Sequence, residues 1–190
     1  MERILTLLII SASFLFGKAQ AQQDKNATGS SVFSNVIKVG VAPGGIEYEY
    51  RTGNKTSVNL AIHYSYAGLA NPDNYNLQIT PEFRYYFSKN KKWAEGFYLG
   101  GYLFYKDYRV ARDMESGSSS VYSRDDVKTA GVGLKPGYQF VLDKRITFDF
   151  GLGLGYNLYC DVTHKEGEEI INESTHHLNF TGGMTIGFLF

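Results

Sequence analysis

The chain has 190 residues, with 19 Lys and Arg against 19 Asp and Glu. That balance gives no electrostatic footing for binding nucleic acid, and the length suits one domain. A hydrophobic fraction of 43% argues against a disordered chain, and the single cysteine, Cys160, excludes an intrachain disulfide. Gly (21 residues) and aromatics (15%) set the composition apart.

Met1 to Ala21 reads as a cleaved secretory signal peptide. Arg3 opens it, an apolar stretch runs from Ile4 to Phe16, and Ala19-Gln20-Ala21 places small residues where a signal peptidase reads. The apolar stretch is shorter than the roughly 20 residues a membrane-spanning helix needs. Cleavage would remove Glu2, Arg3 and Lys18 and leave the mature chain near neutral. Residues 22–33 read as a flexible lead-in, and 34–190 as the folded unit. Beyond residue 21 no run of 18 apolar residues occurs. An exported chain that enters a membrane without such a segment has the closed β-barrel as its remaining architecture.

Period-2 alternation gives eight expected strands, at about Ser34 to Ala42, Ile46 to Arg51, Thr56 to Tyr66, Asn76 to Phe87, Gly96 to Arg109, Val127 to Leu142, Ile146 to Asp161 and Thr175 to Phe190. The seventh is the clearest. Ile146, Phe148, Phe150, Leu152, Leu154, Tyr156 and Leu158 alternate with Thr147, Asp149, Gly151, Gly153, Gly155 and Asn157. The strand is long enough for a tilted crossing, which takes roughly 9 to 11 residues. The fold class predicted is all-β: an eight-stranded, antiparallel, up-and-down transmembrane β-barrel. Short connections at Thr52 to Lys55, Ser88 to Glu95 and Asp143 to Arg145 would lie on the periplasmic side with the termini. Longer ones, including Val110 to Asp126 and Val162 to Ser174, would face outward from the cell. Pro43-Gly44-Gly45 is short where this topology expects a loop.

Two aromatic belts are expected on the lipid-facing side: Tyr50, Tyr85, Phe87, Phe97, Tyr138, Phe140, Phe188 and Phe190 near the periplasmic rim, and Tyr64, Tyr66, Tyr105 and Tyr156 toward the other. The opposite face carries Lys38, Glu47, Glu49, Arg51, His63, Glu82, Arg84, Lys106, Lys135 and Asp149. Lys or Arg facing lipid near the midplane would cost about 2–4 kcal/mol each, so these charges are expected inside. An eight-stranded barrel is just wide enough to be filled by side chains, and mixed signs can pair there as a closed plug. A soluble lipocalin-like barrel, apolar inside and polar outside, fits the alternation too; the belts and the terminal Phe190 favour the membrane form.

The stretches Ile79-Thr80-Pro81-Glu82-Phe83-Arg84-Tyr85-Tyr86-Phe87, Gly96-Phe97-Tyr98-Leu99-Gly100-Gly101-Tyr102 and Ile46-Glu47-Tyr48-Glu49-Tyr50, with the Gly-alternating seventh strand, resemble a family of small exported barrels common in Bacteroidetes-type bacteria and known as a domain of unknown function. More loosely the chain is similar to OmpA-like and OmpX-like barrels. The resemblance implies an outer-membrane barrel with a structural or surface-contact role, and no binding residues come with it.

His63-Tyr64-Ser65, followed by Ala67-Gly68-Leu69 and Pro72, resembles the His-x-Ser stretch of outer-membrane lipid A deacylases. That resemblance implies His63 as general base and Ser65 as nucleophile toward an acyl ester. Tyr66 stands where those enzymes have Asn, Leu77 and Gln78 occupy the region of the orienting acid, and the alternation turns His63 and Ser65 inward. His164, Glu166, Glu168, Glu169, Glu173, His176 and His177 lack a fixed metal-ligand spacing and read as a solvated polar loop. Arg112-Asp113-Met114-Glu115-Ser116-Gly117-Ser118-Ser119-Ser120 reads as a flexible, exposed loop. The expected role is therefore non-enzymatic, structural or surface-interacting, with no cofactor or metal. A lipid A hydrolase is the alternative, and a narrow solute pore or soluble lipocalin-like binder the third. The partners expected are outer-membrane lipids, lipopolysaccharide and, through the last strand ending at Phe190, the barrel-assembly machinery.

Overall fold

The computed structural model describes residues 34–42, 44–66, 74–87, 94–116, 119–143, 145–166, 169–173 and 178–190. For residue 66 and for those between 112–122, 165–166 and 169–173 it describes the backbone alone. The segments read as signal peptide and lead-in, with Ala67 to Pro72, Gly117, Ser118, Glu168 and Thr175 to His177, lie outside the described residues.

Among the described residues nine strands form one antiparallel sheet: β1 (Asn35–Ala42), β2 (Gly44–Arg51), β3 (Thr56–Tyr66), β4 (Tyr75–Tyr86), β5 (Gly96–Ser116), β6 (Ser119–Leu142), β7 (Ile146–Glu166), β8 (Glu169–Glu173) and β9 (Leu178–Leu189). Each of β1 to β7 pairs with the next, β7 pairs with β9, and β9 returns to β1, as in Ile37 opposite Phe188. Eight strands thus close an up-and-down barrel without an edge. The short β8 only folds back on the upper part of β7, from Val162 opposite Glu173 to Glu166 opposite Glu169.

One end, here the terminal end, carries Asn35 and Phe190 with the β2–β3, β4–β5 and β6–β7 connections. Asn35 N donates to Phe190 O at 3.0 Å and Leu189 N to Arg145 O at 2.7 Å. Asp143, in the tight β6–β7 turn, takes a positive φ of 47°, which Asp tolerates better than branched residues. Val36, Ala94 and Leu189 make a small apolar seal there, with Val141 against it. At the opposite, hairpin end the wall is uneven. β1 and β2 stop at a tight turn with Val41 opposite Gly44, while β5 and β6 run on together as far as Ser116 opposite Ser119. This corrects the flexible loop expected over Arg112 to Ser120, and the long connection expected at Val110 to Asp126: its described backbone is a paired hairpin. β7 likewise continues past Asp161 to Glu166.

The faces are inverted relative to a soluble domain. Outside, Ile37, Val39, Ile46, Leu60, Ile62, Leu99, Leu134, Leu152, Leu154, Phe180 and Ile186 are all exposed, Leu152 at 75% and Phe180 at 77%. Inside, Lys38, Glu49 and Arg84 are each at 0%. A soluble lipocalin-like barrel would need the reverse orientation. Tyr85, Phe87, Phe97, Phe140, Phe188 and Phe190 stand exposed near the terminal end, with Tyr50 and Tyr138 half-buried beside them; Tyr64 and Tyr156 are exposed and Tyr105 half-buried toward the other end. Rings pair along the terminal-end group: Tyr85–Phe87 at 5.1 Å between centroids, Phe87–Phe97 at 5.7 Å and Tyr138–Phe140 at 4.5 Å. For Tyr66 only the backbone is described.

Small inner residues let large ones cross the lumen. A Cβ on Gly133 would lie 2.3 Å from Tyr102 Cζ, and one on Gly137 2.3 Å from Tyr98 Cζ, so the glycines of β6 leave the space that the rings of β5 fill. A bulge between Ala130 and Gly131 sets Gly131 opposite Asn157 but Ala130 opposite Tyr159. Leu158 and Tyr159 are consecutively exposed, and from Cys160 the inward parity of β7 is reversed.

Candidate functional site

The interior divides into a charged plug toward the terminal end and a cup toward the hairpin end. Antiparallel pairing with period-2 alternation brings Lys38 of β1, Glu47 and Glu49 of β2, Glu82 and Arg84 of β4, Lys135 of β6 and Asp149 of β7 to one level band of the lumen. Arg84 is the hub. Its Nη1 lies 2.5 Å from Asp149 Oδ2 and 3.4 Å from Glu49 Oε2, and its Nη2 lies 2.9 Å from Glu82 Oε2 and 3.7 Å from Glu47 Oε2. Lys38 Nζ reaches Glu49 Oε2 at 2.6 Å and Asp149 Oδ2 at 2.8 Å, and Lys135 Nζ reaches Glu82 Oε2 at 3.5 Å.

Uncharged groups complete the shell. Tyr98 Oη donates to Asp149 Oδ1 at 2.8 Å, Tyr86 Oη to Glu49 Oε1 at 2.6 Å, Ser57 Oγ to the same oxygen at 2.5 Å, Asn59 Nδ2 to Glu47 Oε2 at 3.0 Å, and Lys38 Nζ to Gln139 Oε1 at 2.7 Å. The Arg84 guanidinium also lies 4.4 Å from the centre of the Tyr98 ring. Burying such ions is costly unless each is paired and hydrogen-bonded, and here each carboxylate has at least one cation. Reasoning from charge alone missed Ser57, Asn59, Tyr86, Tyr98 and Gln139. Their signal was parity: Ser57 and Asn59 share the face of His63, and Tyr86 that of Glu82 and Arg84.

Not every residue expected inside joins the plug. The Arg51 Nε donates to Gly53 O at 3.0 Å and its Nη2 to Asn54 Oδ1 at 3.1 Å, so its guanidinium serves the β2–β3 turn. Its place at the strand end, rather than its parity, decides this. Lys106 lies higher, with Nζ 2.8 Å from Asn179 Oδ1 and 5.7 Å from the Phe104 ring centre.

The candidate nucleophile and base do not meet. His63 Nδ1 lies 3.2 Å from Gly44 O and Nε2 3.9 Å from Glu47 Oε1, so both ring nitrogens face groups other than Ser65, which lines the cup. That geometry lacks the nucleophile–base hydrogen bond of an acyl-transfer site.

Above the plug the side chains draw back from a cavity of about 660 Å³ lined by Ser65, Asn74, Tyr75, Asn76, Lys106, Tyr108, Arg109, Val110, Val127, Thr129, Asn157, Cys160, Val162, Leu178 and Asn179. Cys160 and Val162 line it because the bulge re-aims that part of β7. At the rim Asp126 joins two strands: Arg109 Nε lies 2.6 Å from its Oδ1 and Arg124 Nη2 2.7 Å from its Oδ2. His164 pairs with Asp125 across β6 and β7. Among the described residues no group of three or more His, Cys, Asp or Glu could hold a metal ion.

A closed eight-stranded antiparallel barrel with charges inside and apolar residues outside is the class these features define. Within that class the chain belongs to the family of proteins of unknown function called DUF3575, whose model matches residues 5–188. No curated protein matches the chain.

Proposed function

We propose that the protein is an integral outer-membrane barrel, exported by the signal peptide Met1–Ala21, that works without catalysis as a structural or surface-interaction protein. The observation that carries this reading is the inversion of the barrel, a girdle of exposed apolar side chains around a fully buried ionic interior. In water such a girdle would drive association; in lipid it is the ordinary exterior of a spanning barrel, bounded by aromatic rings at headgroup depth. The spanning strands pair with a neighbour on each side around the closed sheet, the arrangement hydrocarbon favours for strand backbones.

In this orientation the terminal end is periplasmic and the paired β5–β6 and β7–β8 hairpins stand outside the cell, beside lipopolysaccharide. The last strand, with Phe190 at its end, is the segment offered to the barrel-assembly machinery. Separation of His63 from Ser65 weighs against the hydrolase alternative, and full burial of Arg84, Lys38 and Glu49 against an open pore.

The test is fractionation of cells expressing the full chain, with gel migration before and after boiling, proteolysis of intact cells, and mass spectrometry of lipid A. The reading expects outer-membrane recovery, heat-modifiable migration, cleavage confined to the hairpins and an unchanged lipid A spectrum. Recovery as a soluble protein would sink it, as would loss of an acyl chain that depends on Ser65.

A further inference from the structure

We propose that the cup binds a small oxyanion, a carboxylate or phosphoryl group carried on a polar scaffold, with Lys106 as its counter-ion. The plug shows how this barrel treats buried cations: Lys38 meets two carboxylates and Lys135 one. Lys106, half-buried in the same lumen, meets none among the described residues. Its one polar partner there is Asn179 Oδ1 at 2.8 Å. An ammonium drawn partly out of water without a counter-charge is an unfavourable arrangement that an arriving anion relieves.

A second observation points to the same place. Thr129 sits directly across from Lys106 in the β5–β6 register, is 4% exposed and lines the cavity, yet its Oγ1 has no hydrogen-bond partner. The other unpartnered hydroxyls among the described residues, those of Tyr102, Thr147 and Thr185, do not line the cup; Thr129 opens on it beside a cation. Asn179 is oriented by the same contact. Because an ammonium only donates, the amide must turn its oxygen to Lys106, which leaves the Nδ2 hydrogens for a ligand. Lys106, Thr129 and Asn179 thus give the lining of the cavity an ammonium, a hydroxyl and an amide, Lys106 beside each of the other two. Asn74 and Asn76 at the mouth can meet hydroxyls of the scaffold.

At the mouth Arg109 is engaged by Asp126 at 2.6 Å, a carboxylate it shares with Arg124, and lies 5.1 Å from the Tyr75 ring centre, so it is held at the rim. The cavity, about 660 Å³, is within the roughly 300–1,000 Å³ of small-molecule sites.

The inference needs only the barrel interior, so a failure of binding in a well-folded barrel overturns it and leaves the membrane reading standing. The test is calorimetric titration of the refolded mature protein in phospholipid nanodiscs with glucuronate, with inorganic phosphate and with glucose. Saturable binding of at least one anion, and at least tenfold weaker binding of glucose, is expected. Lys106→Met should weaken the anion at least tenfold. Asn179→Asp, which supplies the missing carboxylate, should do the same while keeping heat-modifiable migration, so that loss of binding is separated from loss of fold. Absence of saturable binding by either anion, glucose binding as tightly, or unchanged affinity in both variants would each overturn the proposal. Repeating the titration in nanodiscs containing lipopolysaccharide assigns the source: abolished binding supports the site with a surface phosphate or sugar acid as occupant, and unchanged binding supports it with a free solute.

Discussion

Among the described residues, the plug cations Lys38, Arg84 and Lys135 of the terminal-end half each touch at least one carboxylate and fill the lumen, whereas in the hairpin-end half Lys106 meets an amide and an aromatic ring and the walls draw back from a cavity. Both regions use the same inward-facing alternation of the same strands, so the difference lies in which residues stand at each level. Matched charges make the lower half costly to alter, because removing one ion strands its partners away from water. The cup lining below the rim ion pairs holds little compensated charge, so substitution there should change what the barrel binds more than whether it folds.

The sharpest way to break that contrast is Arg84→Met. It leaves Glu49, Glu82 and Asp149 without their shared guanidinium, and urea unfolding of the protein in lipid vesicles should show a loss of about 3–5 kcal/mol. Next comes the outer wall. Leu152→Arg places a charge on the apolar girdle and should cost about 2–4 kcal/mol in the same assay, the range for a lipid-facing cation near the bilayer midplane. By contrast Lys106→Met in the cup should move the unfolding free energy by less than about 1 kcal/mol, since an apolar chain of similar length replaces a cation that meets no carboxylate among the described residues.

The smallest effect is at the rim, beyond the girdle. Burial raises the Asp126 carboxyl, but hydrogen bonds from Arg124 and Arg109 outweigh it and hold the group below its ordinary value. A depressed carboxyl adds stability above its unfolded pKa, near 3.9, and loses it as pH falls through the folded value. Protection factors of the amides in the upper β5–β6 hairpin should therefore fall in acid while those of the plug strands hold. Asp126→Asn should remove that pH dependence.

How much of this was legible follows from what alternation measures. It detects contrast between two faces, so β7, with apolar residues on one side and Thr, Asp, Gly and Asn on the other, stands out along most of its length. Past Arg109 on β5 both faces carry polar residues, the contrast vanishes, and a regular hairpin reads as a loop until its register is known. The charges of the plug were visible because they alternate with an apolar face; which partner each would choose was not, since that depends on cross-strand level and on rings such as Tyr98 entering space left by Gly137. The cup was hidden for a related reason. One bulged residue near Leu158 reverses the parity that extrapolation would assign to Cys160 and Val162, and no local sequence signal marks it.

If the plug closes the lumen beneath the cup, planar-bilayer recordings of the refolded wild-type protein should give a silent trace across the usual voltage range, with no discrete steps. Stable, ohmic single-channel steps from the wild-type barrel would contradict it.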